Sequence, residues 1–273
     1  LMKEGPEDDL RLTRNAQPAL FASSMAALAV LQKATGKAVA NLAGCVAGHS
    51  LGEYSALAAA GTLSITDAAR LLRRRGDSMQ GAVPPGDGAM AAILNAEEAV
   101  IDSIIEKASG TGPIQLANDN APGQIVVSGG VAAVDAAIEI AKDAGIRRAI
   151  KLPVSAPFHC TLMQPAANEM AAALADASMS DASVPVYCNV TAGPEQVADR
   201  LRGNLVTQVT GRVRWRETLG AVHAAGAGQA GPRGPPAAEV PPHLEAAAVM
   251  AARVAARAAA RAAAAAAAWT WTW

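Results

Sequence analysis

Glycines on both sides of a serine, in Gly48-His49-Ser50-Leu51-Gly52, constrain this chain more than any other feature of its sequence. The motif follows a short apolar run at 42–47 and precedes an alanine-rich segment at 51–60 that Gly61 closes. Read as a short buried strand, a sharp turn and a helix, it forms a nucleophile elbow. The serine takes a strained backbone, Gly48 and Gly52 leave room for neighbouring backbone, and the hydroxyl stands at a helix N-terminus. A small-residue turn in a helical protein has the same letters, but the flanking strand and helix patterns favour the elbow.

A serine hydroxyl is a poor nucleophile until a base takes its proton, so the elbow predicts a histidine elsewhere. Four are present. His49 adjoins the serine and is expected to orient the elbow or line the site, with its ring turned away from the hydroxyl. His223 and His243 lie beside or within a low-complexity stretch. His159, in Ser155-Ala-Pro-Phe-His159-Cys-Thr-Leu-Met163, is the candidate base.

Arg75 ends the run Arg70-Leu-Leu-Arg-Arg-Arg75-Gly76. Its three arginine neighbours, Arg70, Arg73 and Arg74, read as a solvated helix face. Arg75 lies about 100° round the helix from Arg74 and beside a glycine, which lets it project inward. A guanidinium in an acyl-transfer cleft grips a carboxylate through two parallel hydrogen bonds, so the substrate would carry a free acid.

The remaining pattern divides the chain. A helix is expected over 15–35, with Pro18 in its first turn and Gly36 ending it, and a second from a Thr66 cap to Gly81. Between Gly86 and Pro153 the order is strand 89–94, helix 96–108, strands 114–118 and 124–128, helix 131–144 and strand 147–152. That β-α-β-β-α-β order is ferredoxin-like and predicts a small subdomain at 86–153, inserted in a large domain made of 1–85 and 154–219. A substrate would occupy the cleft between them.

The net charge of −1 points to neither nucleic-acid nor membrane-surface binding. No leader-like or membrane-spanning apolar run stands out. Cys45, Cys160 and Cys188 are odd in number and widely spaced, suiting reduced thiols in a soluble cytoplasmic protein better than a disulfide or metal framework. Residues 220–273 turn to Gly/Pro/Ala and then Ala/Arg sequence ending in Trp269-Thr-Trp-Thr-Trp273. With no large apolar face, they are expected to lie outside the fold, as a shifted reading frame or an artificial end would.

Several stretches, in order over residues 1–217, together resemble the malonyl-CoA:acyl carrier protein transacylases of bacterial fatty-acid synthesis. They are Asn15-Ala-Gln-Pro-Ala-Leu20, Gly48 to Leu57, Arg75-Gly76, Met79-Gln80, Gly88-Ala-Met90, Asn118 to Gly129, Val154 to Met163 and Asn189-Val190. The resemblance implies an α/β fold, with an α/β-hydrolase-like large domain of parallel sheet and flanking helices joined to the ferredoxin-like insert. It implies a ping-pong transfer of malonyl from malonyl-CoA to the phosphopantetheine thiol of acyl carrier protein, with no bound cofactor or metal and a monomeric enzyme.

By the same resemblance Ser50 is acylated and His159 is base and then acid. The Leu51 amide is one oxyanion donor, Arg75 holds the malonyl carboxylate, and the Gln208 backbone carbonyl orients His159. Asn120 and His49 line the cleft. Phe158 crowds an α-methyl branch, a preference for malonyl over methylmalonyl of about 1–3 kcal/mol. Arg70, Arg73 and Arg74 offer a face to an acidic carrier protein.

The resemblance also implies elements this sequence does not display. These are a first strand with a Gly-Gln-Gly-Ser-Gln loop, whose glutamine amide is a second oxyanion donor, and a Gly-x-Gly turn, strand and helix after Trp215. The chain thus reads as N-terminally truncated with an aberrant C-terminus, and loss of one oxyanion donor costs about 100 to 1,000-fold in rate. Two other readings stand beside this one: a thioesterase-like or lipase-like serine hydrolase, with Asp119, Asp135 or Asp143 as acidic triad member, and an inactive fragment retaining only carrier-protein binding.

Overall fold

A chain with only 3% aromatic residues and abundant alanine has to gain its packing from closely approaching backbones. The computed structural model describes residues 1–226, and its first half shows this packing. Helix α1 (Glu7–Arg11) leads into α2 (Thr13–Thr35), which ends at Gly36 in the left-handed conformation, φ +66°. The helix starts earlier than the expected residue 15, so Pro18 lies inside it rather than in its first turn. There it leaves the Arg14 carbonyl without its helical donor.

Strand β1 (Val46–Ala47) is shorter and more exposed than the buried run expected over 42–47, because residues 39–41 coil into a 3₁₀ turn and β1 pairs on one side only among the described residues. It leads through the turn at Ser50 into α3 (Gly52–Ala59). The next helix, α4 (Ile65–Gly81), is capped by Ser64, whose hydroxyl accepts from the Asp67 N–H, and not by Thr66. Its buried stripe is Ala68, Leu71, Leu72, Arg75, Gly76 and Met79, the i, i+3, i+4, i+7 spacing of a core face. Arg75 therefore occupies a core position. Gly76 lets α4 close on α2: a Cβ there would meet Arg14 Cα at 2.6 Å.

Residues 88–151 form a four-stranded antiparallel sheet from β2 (Gly88–Leu94), β3 (Ile114–Ala121), β4 (Gln124–Gly130) and β5 (Ala149–Lys151), in the order β3-β4-β2-β5. Helices α5 (Glu98–Ala108) and α6 (Val131–Asp143) complete the β-α-β-β-α-β order, with boundaries within a few residues of those expected. Alternation along β2 sends Ala89, Ala91 and Ile93 into one core with Ile101, Ile104, Val127 and Val134. Met90, Ala92 and Leu94 enter another, with Val154 and Phe158 packed against it. This sheet thus has one face under its own helices and one turned to the chain that carries His159.

After α7 (Gln164–Ala175), strand β6 (Val186–Tyr187) pairs parallel with β1 and antiparallel with β7 (Pro194–Glu195), so the parallel sheet carries an antiparallel strand. Helix α8 (Ala198–Gln208) and helix α9 (Trp215–Ala224) follow. The core beneath β1 and β6 gathers Phe21, Tyr54, Leu57, Leu72, Met163, Met170, Leu174, Val186 and Leu201. The architecture is mixed α/β, a large α/β layer with a ferredoxin-like subdomain. Helix α9 runs past the expected limit at 219; the rest of the expected tail, 227–273, lies outside the described residues.

The two parts meet along β3. Val213 adds to its edge, with Asp119 N–H to Val213 O at 2.9 Å and Val213 N–H to Ala117 O at 2.8 Å. Asp119, fully buried, accepts from Arg212 and Arg216, which also pair with Glu98 on α5.

Candidate active site

The turn between β1 and α3 holds Ser50 at φ +51°, a left-handed conformation uncommon for a residue with a Cβ. Gly48 is the glycine that the turn requires: a Cβ there would lie 2.0 Å from Gly52 O. Gly52 is different, since a Cβ there meets nothing within 4 Å. Asn189, just beyond β6, staples the turn from beneath, with Oδ1 accepting from the Ser50 N–H at 2.6 Å and Nδ2 donating to Gly48 O at 2.8 Å.

His159 also sits at positive φ, +57°. Its Nε2 is 2.8 Å from Ser50 Oγ, and its Nδ1 is 2.9 Å from the Gln208 carbonyl oxygen. A carbonyl only accepts, so Nδ1 carries the proton and Nε2 offers its lone pair to the serine. Burial holds the imidazole down at about 3, with the nearby Arg75 charge adding to the shift. The ring is therefore neutral and able to accept a proton across the physiological range.

Arg75 reaches the same point from α4. Its guanidinium is buried, with Nη1 donating to Gln17 Oε1 at 2.7 Å and Nη2 to Gln208 Oε1 at 2.9 Å and Ser50 Oγ at 3.2 Å. The Tyr54 ring lies 5.8 Å away. Among the described residues no carboxylate bonds to it and its Nε has no acceptor. A buried cation held only by neutral groups is suited to receive an anion, because desolvation strengthens that attraction.

His49 turns away from Ser50, as expected, to Asn120 Oδ1 at 2.8 Å, with its ring edge-on to Trp215 at 5.5 Å between centroids. Burial lowers its pKa, so it is a neutral wall. Phe158 is half-buried beside His159 and packs against two cores. The Leu51 N–H has no acceptor among the described residues and stands at the helix start beside Ser50. Asp119 is occupied by Arg212 and Arg216, Asp135 pairs with Lys151 on the surface, and Asp143 makes no bond to His159. The histidine's third partner is thus a carbonyl, which removes the basis for an acidic triad. Arg70, Arg73 and Arg74 are exposed and paired with Asp67, Asp77 and Glu169.

Gln17, Glu53 and Asn189 belong to the site as well, although the sequence assigns them no role. The signal was there: each is a polar residue set among the apolar or small residues of a resembling stretch, the pattern of a buried, hydrogen-bonded group. Among the described residues no group of three or more His, Cys, Asp or Glu side chains could hold a metal ion, and no helix is long and apolar enough to cross a membrane.

Comparison with known proteins gives this geometry its context. The acyl transferase domain model matches residues 1–269. The malonyl CoA-acyl carrier protein transacylase of Escherichia coli is 43% identical over 219 residues, 80% of this chain and 70% of that protein. The acyl-carrier-protein S-malonyltransferase of Bartonella henselae superposes with a TM-score of 0.79 at 53% identity, covering 82% of this chain and 71% of its own. A malonyl-transacylase solved in complex with a type II PKS acyl-carrier protein gives 0.79 at 41% identity, covering 82% and 72%. With fold, motif order and identity in agreement, this chain belongs to the malonyl-CoA:acyl carrier protein transacylase family of acyl transferase domains.

Proposed function

We propose that this protein moves a malonyl group from malonyl-CoA to the phosphopantetheine thiol of an acyl carrier protein, as a step of fatty-acid synthesis, through an ester on Ser50. The observation that carries the reading is the meeting of Ser50 Oγ, His159 Nε2 and the buried Arg75 guanidinium at one point. Nucleophile and base suit acyl transfer of any kind; a buried cation beside the nucleophile suits an acyl group ending in a carboxylate.

The Ser50 oxygen attacks the thioester carbonyl as His159 Nε2 takes its proton. The resulting oxyanion faces the Leu51 amide, a contact worth about 2.7–4 kcal/mol in comparable sites. Collapse breaks the C–S bond, and the imidazolium returns the proton to the departing CoA sulfur. In the second half the carrier thiol gives its proton to His159 and attacks the ester, and Ser50 leaves as the alcohol. Gln208, through its backbone carbonyl, keeps His159 in the required tautomer throughout. Arg75 binds the malonyl carboxylate, Phe158 limits branching next to the carbonyl, and His49 with Asn120 lines the cleft.

Separate apolar cores support a division into a large unit, 1–85 with 154–219, and a small one, 86–153. Cys45, Cys160 and Cys188 are all free, in keeping with a cytoplasmic location.

Arg75→Ala tests the assignment. Malonyl-CoA turnover falls by about 100-fold or more, since paired charge-assisted hydrogen bonds are lost. Labelling of Ser50 by a neutral fluorophosphonate stays within about threefold, as that probe makes no use of the guanidinium. Equal loss of both activities would point instead to a structural role for Arg75.

A further inference from the structure

Glu53 lies in the first turn of α3 and is fully buried, yet it touches none of the reacting atoms. One of its oxygens, Oε2, accepts from the Asn189 N–H at 3.1 Å and from Gln208 Nε2 at 2.7 Å. Those two partners hold the rest of the site. Asn189 staples the Ser50 turn, while Gln208 presents its backbone oxygen to His159 and its Oε1 to Arg75.

A glutamine amide fits its cavity in either of two orientations, and its neighbours decide between them. With Glu53 Oε2 and the Ser50 carbonyl oxygen on one side, the Gln208 NH₂ has to face them. The amide oxygen then faces Arg75 Nη2. Reversal would set a donor against the guanidinium and an acceptor against a carboxyl oxygen.

We propose that Glu53 is a positioning residue that fixes the Gln208 amide, and through it the aim of the Arg75 guanidinium, so that it sets the preference for an acyl group bearing a carboxylate. This rests on the malonyl-transfer reading above. The acceptor oxygen does the positioning, so Glu53→Gln, which keeps an oxygen at that place, retains the preference, and Glu53→Met, which has none, loses it.

The experiment measures Ser50 acylation by malonyl-CoA and by acetyl-CoA as a ratio of kcat/KM values in the full chain, together with fluorophosphonate labelling of Ser50. For Glu53→Met the malonyl-to-acetyl ratio falls about tenfold or more, while labelling stays within about threefold. In Glu53→Gln the ratio stays within about threefold of the unaltered protein. An unchanged ratio in Glu53→Met overturns the proposal, as does a parallel fall of all three reactivities, the mark of a merely structural role. Should Glu53→Met fail to fold, the smaller Glu53→Ala, which also lacks the acceptor oxygen, decides by the same ratio: a lowered ratio with labelling kept upholds the relay and an unchanged one overturns it. If the unaltered protein itself shows no malonyl preference, the functional reading fails, a result distinct from a relay that fails in a malonyl-selective enzyme.

Discussion

Ser50 and His159 are two of only four described non-glycine residues at positive φ. Each such conformation costs on the order of 1–3 kcal/mol and persists only when surrounding structure enforces it. For Ser50 the enforcing groups are Asn189 and the start of α3; for His159 they include the Gln208 carbonyl. The same burial that fixes His159 holds its pKa at about 3, from an ordinary 6.5. Acylation of Ser50 therefore stays level from about pH 7 down to about pH 5, where an ordinary imidazole would already be mostly protonated. Fluorophosphonate labelling across that interval checks this, and a midpoint near 6.5 would contradict it. The sign for stability follows from the lowered value. The unfolded chain binds this proton first, so the contribution is complete above 6.5 and is lost as pH falls from there toward about 3. A carboxylate seated on Arg75 offsets the second cause of the shift, which strengthens the base when the matching acyl group is in place.

At the scale of elements, the strand-turn-helix unit depends on one glycine more than the other. Gly48→Ala puts a methyl 2.0 Å from Gly52 O and 2.7 Å from the Glu53 N–H nitrogen, so the first turn of α3 has to move. A loss of about 3 kcal/mol or more is expected, whereas Gly52→Ala, with open space and a helical position, changes stability by about 1 kcal/mol or less. Urea unfolding of the two variants distinguishes these positions. Helices α2 to α6 were legible because their apolar and small residues recur at helical spacing, and the small subdomain because its strands and helices alternate at ordinary lengths; α1, α7, α8 and α9 were not read from the sequence. Extending that spacing along α4 also places Arg75 on the buried stripe. β1 was overextended because a strand's limits depend on its partner, and β6 lies about 140 residues away in the chain. Ser50 was read from its motif, His159 by elimination, Arg75 from its place on the helix and Gln208 through the resemblance; Glu53, Asn189 and Gln17 lie in the resembling stretches as polar residues, but no role could be read for them. Their role is to hold other site residues, a relation that exists only after folding.

Over the whole molecule the sheet of the small subdomain is tied to the segment leading into α9 at the β3 edge by Asp119, whose buried carboxylate binds Arg212 and Arg216. Asp119→Ala removes the buried acceptor of several charge-assisted hydrogen bonds but leaves the partly exposed Arg212 and Arg216 paired with Glu98, so it costs about 1–3 kcal/mol. Glu98→Ala, at a half-exposed position of the same network, costs about 1 kcal/mol or less. Denaturant midpoints compare the two, and equal losses would show that the join does not depend on the buried carboxylate.

The central claim is a malonyl ester on Ser50 that a carrier thiol discharges. Brief reaction with malonyl-CoA, acid quenching and peptide mass mapping test it directly. The expected result is one malonyl group on the peptide containing Ser50, absent from Ser50→Ala, and transferred intact to added phosphopantetheinylated carrier protein. No adduct, or its loss as free malonate at the same rate with and without the carrier, would contradict the account.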